Sequence, residues 1–262
     1  MTRKTAKSAK PAAAQSSETE RIAKRLARSG IASRREAERM ILAGRVVVNG
    51  KRLDSPALNV GPGDKIMVDG KPVGAPDIAR MWRYHKPAGL VTSAKDEKGR
   101  PTVFDRLPPE MPRVVSIGRL DIASEGLLLL TNDGDLKRRL ELPSTGWLRR
   151  YRVRVHGAPD VAMLAPLAEG IVVDGERFGQ IEAAIDRQQG ANCWLTVGLR
   201  EGRNREVRRA MAHIGLTVNR LIRISYGPFQ LGDLKPGDTT EIRQKVIADQ
   251  LGKEKSPARK RK

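Results

Sequence analysis

The sequence predicts an α+β protein in two unequal parts: a small αα-β module in front, then a larger domain on a mixed, mostly antiparallel sheet. Three observations carry that reading. Within residues 20–70, two stretches with apolar residues at helical spacing precede β-branched stretches that end in Asn-Gly and Asp-Gly. From Met81 onward the pattern changes to short strands separated by turns and brief helices. At 262 residues the chain exceeds one average domain and falls short of two large ones.

In the front module, Ile22 and Leu26 lie four apart among Arg21, Lys24, Arg25 and Arg28, which predicts a short helix ended by Gly30. Ser33-Arg-Arg-Glu36 has the form of a capping box, with the serine accepting from the Glu36 N–H and the glutamate reaching back. Ala37, Met40 and Ile41 supply the buried face of that second helix, and Gly44 stands where a left-handed stop belongs. Arg45 to Leu53 reads as a strand entering a hairpin turn at Asn49-Gly50, and Lys65 to Val68 as another ending at Asp69-Gly70. Eleven basic and six acidic residues in this stretch leave no room for a ligand cavity. The module is suited to presenting charge.

Charge also bounds the function. Lys and Arg number 50 against 30 for Asp and Glu, a formal +20, which points to a polyanion or an anionic membrane. No apolar stretch approaches the roughly 18 residues that span a bilayer. DNA binding or membrane-surface binding fits the charge alone, since a recognition-helix or amphipathic signature is missing. Residues 1–18 carry four basic residues and one acidic, without the apolar segment of a secretory signal. Residues 252–262 carry six and one. Both ends, 1–18 and 244–262, are expected to be disordered basic tails. A single cysteine, Cys193, excludes an intramolecular disulfide framework, and it argues with the scattered His85, His156 and His213 against a metal site. No GxxxxGK[ST] loop cradles a nucleotide. A cytoplasmic protein facing nucleic acid is expected.

The larger domain spans 80–243. Trp82 to Tyr84 predicts a strand halted by His85-Lys86-Pro87-Ala88-Gly89 and resumed at Leu90 to Thr92, followed by a surface loop over 93–101. Val114 to Ile117 and the fully apolar Leu127 to Leu130 predict two more. Tyr151, Val153 and Val155 alternate with Arg152, Arg154 and His156, and 194–199 alternates likewise. Helices are expected at 135–140, 159–168 and 204–214. Between two strands, glycines bracket Gly118-Arg119-Leu120-Asp121-Ile122-Ala123-Ser124-Glu125-Gly126, and from spacing alone Asp121 reads as a turn or cap residue. In 204–214, Val207, Ala210, Met211 and Ile214 share one face. Arg208 falls at its edge, while Arg205 and Arg209 point away. A partly buried arginine needs a carboxylate, and Asp121 is one candidate.

These residues also carry a family resemblance. "GIASRREAERMILAGRVVVNGKRL" resembles an S4 RNA-binding domain, over 19–75. That implies phosphate contacts from Arg34, Arg35, Arg45, Lys51 and Arg52. "GRLDIASEGLLLLTNDG" resembles the catalytic motif of pseudouridine synthases of the RsuA/RluA superfamily. "LREGRNREVRRAMAHIG" with "RLIRISYG" resembles the branch acting on large-subunit ribosomal RNA, and "YHKPAGLVTS" matches the first strand and loop of that fold, with His85 where asparagine is commoner.

The resemblance implies a catalytic domain of pseudouridine synthase type over 80–243. Asp121 is then the catalytic aspartate, Tyr151 the aromatic packed on the uracil, and Arg208 the basic residue paired with the aspartate. Arg119 would enter the gap left by the target base, and Arg203, Asn204 and Arg205 would touch RNA. It further implies a flipped-out uridine in 23S ribosomal RNA and no cofactor, metal or nucleotide, because isomerisation adds no group and changes no redox state; a monomer is expected, although the sequence does not determine the oligomeric state. A synthase for 16S ribosomal RNA or transfer RNA, and a non-catalytic S4-type RNA-binding protein, remain open alternatives.

Overall fold

The structure, a computed structural model, describes residues 19–251, and the chain divides into one unit ending at Asp77 and another beginning at Ile78. Both basic ends, 1–18 and 252–262, lie outside the described residues.

In the first unit, helices α1 (Ile22–Arg28) and α2 (Arg34–Leu42) pack on strands β2 (Val46–Val48), β3 (Lys51–Arg52), β5 (Ile66–Val68) and β6 (Lys71–Pro72). The four strands are ordered β3-β2-β5-β6, and β1 (Glu20–Arg21) pairs separately with β4 (Asn59–Val60). Two left-handed dipeptides turn the hairpins: Asn49 and Gly50 have φ of 51° and 79°, Asp69 and Gly70 50° and 76°. The Ser33 hydroxyl accepts from the Glu36 N–H at 3.1 Å. The other half of the expected capping box is replaced, because Glu36 pairs with Arg39 one turn on. Ile22, Leu26, Ala37, Ile41, Val46 and Ile66 form a core belonging to this unit alone.

The second unit is a mixed sheet with elements on both faces. Its strands are β7 (Met81–Lys86), β8 (Val115–Ile117), β9 (Glu125–Thr131), β10 (Arg149–His156), β13 (Ile181–Gln189), β14 (Asn192–Leu199), β15 (Thr217–Tyr226), β16 (Phe229–Gln230) and β17 (Thr239–Ile242). The order is β13-β14-β10-β15-β9-β7-β17, with β8 on β9 and β16 on β15. Every pairing is antiparallel except β15 with β9, so the sheet is mostly antiparallel as expected. A small hairpin, β11 (Val172–Val173) and β12 (Glu176–Arg177), stands apart. Helices α3 (Gly134–Glu141), α4 (Val161–Glu169) and α5 (Glu206–His213) fall where the spacing predicts them. Alternation along β9 divides the core: Leu128 and Leu130 face one cluster with Tyr151, Val153 and Met211, while Leu127 and Leu129 face another with Tyr226 and Phe229.

Three expectations need correction. The first strand does not halt at Tyr84; β7 continues through Lys86, pairing Lys86 with Gly126 of β9. Leu90 to Thr92 does not resume it, contributing only a bridge from Val91 to Thr102. The tail expected from 244 is ordered as far as 251. Gln244–Leu251 is a helix, α6, whose Ile247 and Leu251, four apart, are buried beside Met81 and Ile242.

Candidate active site

Asp121 sits on the loop from Gly118 to Ser124, between β8 and β9, where the sheet makes its parallel contact. That junction demands glycine. At Gly126, φ is +99°, and a Cβ would lie 2.3 Å from the Arg223 carbonyl oxygen of β15. At the loop's start, the Gly118 N–H donates to Glu141 at 2.6 Å.

A loop without helix or ladder must find partners for its carbonyls elsewhere. Here six in succession are met. Arg223 Nη1 donates to the Arg119 oxygen at 3.4 Å, and the Thr92 hydroxyl to that of Leu120 at 2.8 Å. The Ser124 N–H closes a turn on Asp121 at 3.0 Å, and the Gly89 N–H reaches Ile122 at 2.7 Å. Arg208 Nη2 takes Ala123 at 3.1 Å, and Lys86 Nζ takes Ser124 at 2.8 Å and Ile122 at 3.4 Å. Apart from the turn closed by Ser124 within the loop, the donors come from β7 and the segment after it, α5 and β15. The backbone on either side of the aspartate is thus fixed from two strands and a helix.

Three of those donors are cations, and among the described residues Lys86, Arg208 and Arg223 form no ion pair with a carboxylate. Lys86 is fully buried, with a third bond to the Pro87 oxygen at 2.9 Å. Burial pushes its ammonium down to about 8, against the opposing pull of Asp121 and Glu125. Arg208 is lowered by burial and by neighbouring Arg205, again against Asp121.

The side chain of Asp121 looks into a cavity of about 660 Å³ together with Tyr151, Arg119, Arg203, Asn204 and Arg205. That size suits one extruded nucleotide. Tyr151 is nearly buried on β10, just past a bulge between Arg150 and Tyr151 that re-aims the strand. Arg208 departs from expectation: it is not on the cavity wall, and its guanidinium binds the carbonyls of Ala123 and Val218 rather than the Asp121 carboxylate. The helix-face arithmetic located its half-buried edge correctly; backbone oxygens supply the acceptors. Among the described residues the cation within ion-pair distance is Arg205, expected to point away, with Nη1 3.9 Å from Oδ2 of Asp121. Arg205 is the N-cap of α5 and sits in the left-handed conformation, φ 50°, outside the regular helix whose face the spacing describes.

Known proteins share this arrangement of sequence and fold. Residues 20–66 match the S4 domain family, and residues 80–213 match the family described as RNA pseudouridylate synthase. The chain belongs to the RNA pseudouridylate synthase family. It is 46% identical over 227 residues to an uncharacterised RNA pseudouridine synthase of Rickettsia conorii, covering 87% of this chain and 98% of that one. It is 43% identical over 231 residues to ribosomal large subunit pseudouridine synthase B of Escherichia coli K12, covering 86% and 79%. A crystal structure of a pseudouridylate synthase aligns with TM-score 0.60 and 26% identity, over 87% of this chain and 97% of the other.

RNA is therefore this synthase's partner, and its S4 domain offers exposed cations: Arg34, Arg35, Arg45, Lys51 and Arg52 all lie on the surface. Arg45 is not free, because Asp69 holds it in a two-pronged pair at 2.9 and 2.5 Å. Arg203 is likewise engaged, by Glu176 and Glu201. Two residues of the site escaped sequence reasoning. Lys86 lay in what read as a turn, and Arg223 lay within "RLIRISYG" without a separate signal; both bind backbone oxygens, which leave no trace in side-chain spacing.

Proposed function

We propose that this synthase isomerises one uridine of 23S ribosomal RNA to pseudouridine, with Asp121 as the essential carboxylate and the target base flipped out of its stack. The observation that carries the reading is Asp121 on a clamped loop, opening with Tyr151 into a cavity with room for a nucleotide. The 43% identity to an enzyme named for the ribosomal large subunit supports the choice of RNA.

In the reaction the N1–C1′ bond breaks, the uracil turns, and C5 bonds to C1′; C5 loses a proton and N1 gains one. An ionised carboxylate serves such a step as nucleophile or as counter-charge to C1′. Flipping costs a few kcal/mol of stacking, which a ring on the base face and a cation in the vacated gap would offset. Tyr151 and Arg119 are the candidates. Chemical mapping of pseudouridine on 23S, 16S and transfer RNA after incubation with the protein tests the assignment, and a product confined to 16S or transfer RNA rejects it.

Tyr151→Phe is expected to retain most activity, losing only a hydroxyl. Tyr151→Ala loses the platform as well, and stacking on one base is worth about 1–3 kcal/mol, so its rate should fall roughly 5- to 150-fold. Equal single-turnover rates for the two variants would show that the ring does not face the base.

Removing residues 1–77 takes away a unit with its own core and leaves the cavity's lining residues in place. RNA affinity should weaken at moderate salt. The slope of log affinity against log salt should flatten by about 0.7–0.9 for each phosphate no longer neutralised. The saturated single-turnover rate should change little. An unchanged slope would mean that the S4 domain neutralises no phosphates.

A further inference from the structure

Arg223 is the least explained group near the cavity. It lies in the middle of β15, is 2% exposed, and is a cavity-lining residue. A guanidinium in such a position is retained only if something needs its donors in that geometry. Its Nε donates to the Leu127 oxygen at 2.7 Å, and its Nη1 to the Arg119 oxygen at 3.4 Å. Its remaining nitrogen, Nη2, is buried with no hydrogen-bond partner. The plane lies 5.3 Å from the centre of the Tyr226 ring, and the Tyr226 hydroxyl is anchored by the Leu140 oxygen and by Arg149.

The two acceptors stand on either side of Asp121. Arg119 precedes it by two residues; Leu127 follows by six, already inside β9. The Arg223 backbone is also pressed against Gly126 at the parallel contact, so one residue touches both ends of the loop. Across the antiparallel register, Arg223 is opposite Tyr151. We propose that Arg223 is a positioning residue for Asp121: its guanidinium ties the entry of the catalytic loop to its exit and holds the carboxylate in register with Tyr151. A lysine cannot copy this, because Arg223 meets the two oxygens from two separate nitrogens, Nε and Nη1, held in one rigid plane, whereas an ammonium offers all its donors from a single atom on a flexible stem. The inference rests on Asp121 being the catalytic carboxylate, as proposed above.

The test uses the full-length protein, Arg223→Lys and Arg223→Met, with Asp121→Asn beside them. Three quantities are read for each: single-turnover rate at saturating RNA, RNA affinity, and amide hydrogen exchange across residues 118–127. Misplacing a reacting group by about 1 Å costs on the order of 100-fold in rate. Both Arg223 variants should therefore lose about that much, with affinity within three-fold of wild type and exchange accelerated in 118–127 but not in β10 or β14. A guanidinium salt added to Arg223→Met should restore part of the rate, and nothing to Asp121→Asn. A folded Arg223→Lys with wild-type rate and exchange would overturn the proposal. So would exchange raised uniformly across the sheet, or failure of both variants to fold, either of which assigns Arg223 to general stability. Full activity of Asp121→Asn would instead reject the catalytic reading, while the exchange pattern would still report whether Arg223 ties the loop.

Discussion

Asp121→Asn is expected to abolish pseudouridine formation while leaving RNA affinity within a few-fold. The amide keeps the shape and loses the charge. The clamp on the loop is made through its backbone carbonyls and N–H groups rather than through the Asp121 carboxylate, so the variant should fold with the same clamp. Among the described residues the carboxylate's ion pair is with exposed Arg205 at 3.9 Å, an interaction worth little to stability. Thermal midpoint and exchange rates should match the wild type. Substantial product from a clean preparation would remove Asp121 from the chemistry.

The second large effect is expected at Lys86. In Lys86→Met the carbonyls of Pro87 and Ser124 lose their close donor, at about 1–3 kcal/mol each. Against this, the ammonium's buried charge no longer has to be desolvated. Its fall from 10.5 to about 8 corresponds to about 3 kcal/mol, at roughly 1.4 kcal/mol per pH unit. The gain offsets about half or more of the loss. The variant should be less stable by no more than a few kcal/mol and still fold while the loop slackens, so the rate should drop on the order of 100-fold in a folded protein.

The same lysine sets a pH dependence. Its folded value lies below its unfolded one, so between about pH 8 and 10.5 the unfolded chain binds more protons, and this group's contribution to stability rises with pH. The clamp moves the other way, losing its charge as pH passes about 8. Wild-type rate should therefore decline above pH 8 without unfolding, and Lys86→Met should show a low rate with no such decline. A flat wild-type profile to pH 9 would count against the clamp.

What could be read from residues alone was whatever depends on neighbours in sequence. The hairpins at Asn49-Gly50 and Asp69-Gly70 follow from the left-handed backbone those pairs tolerate, and α5 follows from Val207, Ala210 and Met211 at helical spacing. Strand β13 was not legible, because along Ile181–Gln189 only Ile181 is buried and no apolar alternation marks it. Helix α6 was hidden by its basic surroundings, although Ile247 and Leu251 stand one turn apart. The site divides in the same way. Asp121 and Tyr151 are read from the family motif, whereas the roles of Lys86, Arg208 and Arg223 depend on carbonyl oxygens up to 104 residues away. Side-chain pairing rules look for a carboxylate, and so give Arg208 the wrong partner and pass over Lys86 and Arg223.

The most direct measurement is pseudouridine mapping on ribosomal RNA transcripts incubated with the purified protein and, in parallel, with Asp121→Asn. One new pseudouridine in the 23S transcript, absent from the 16S transcript and absent with the variant, is the expected result. No new pseudouridine in any transcript, or an equal yield from the variant, would contradict the account.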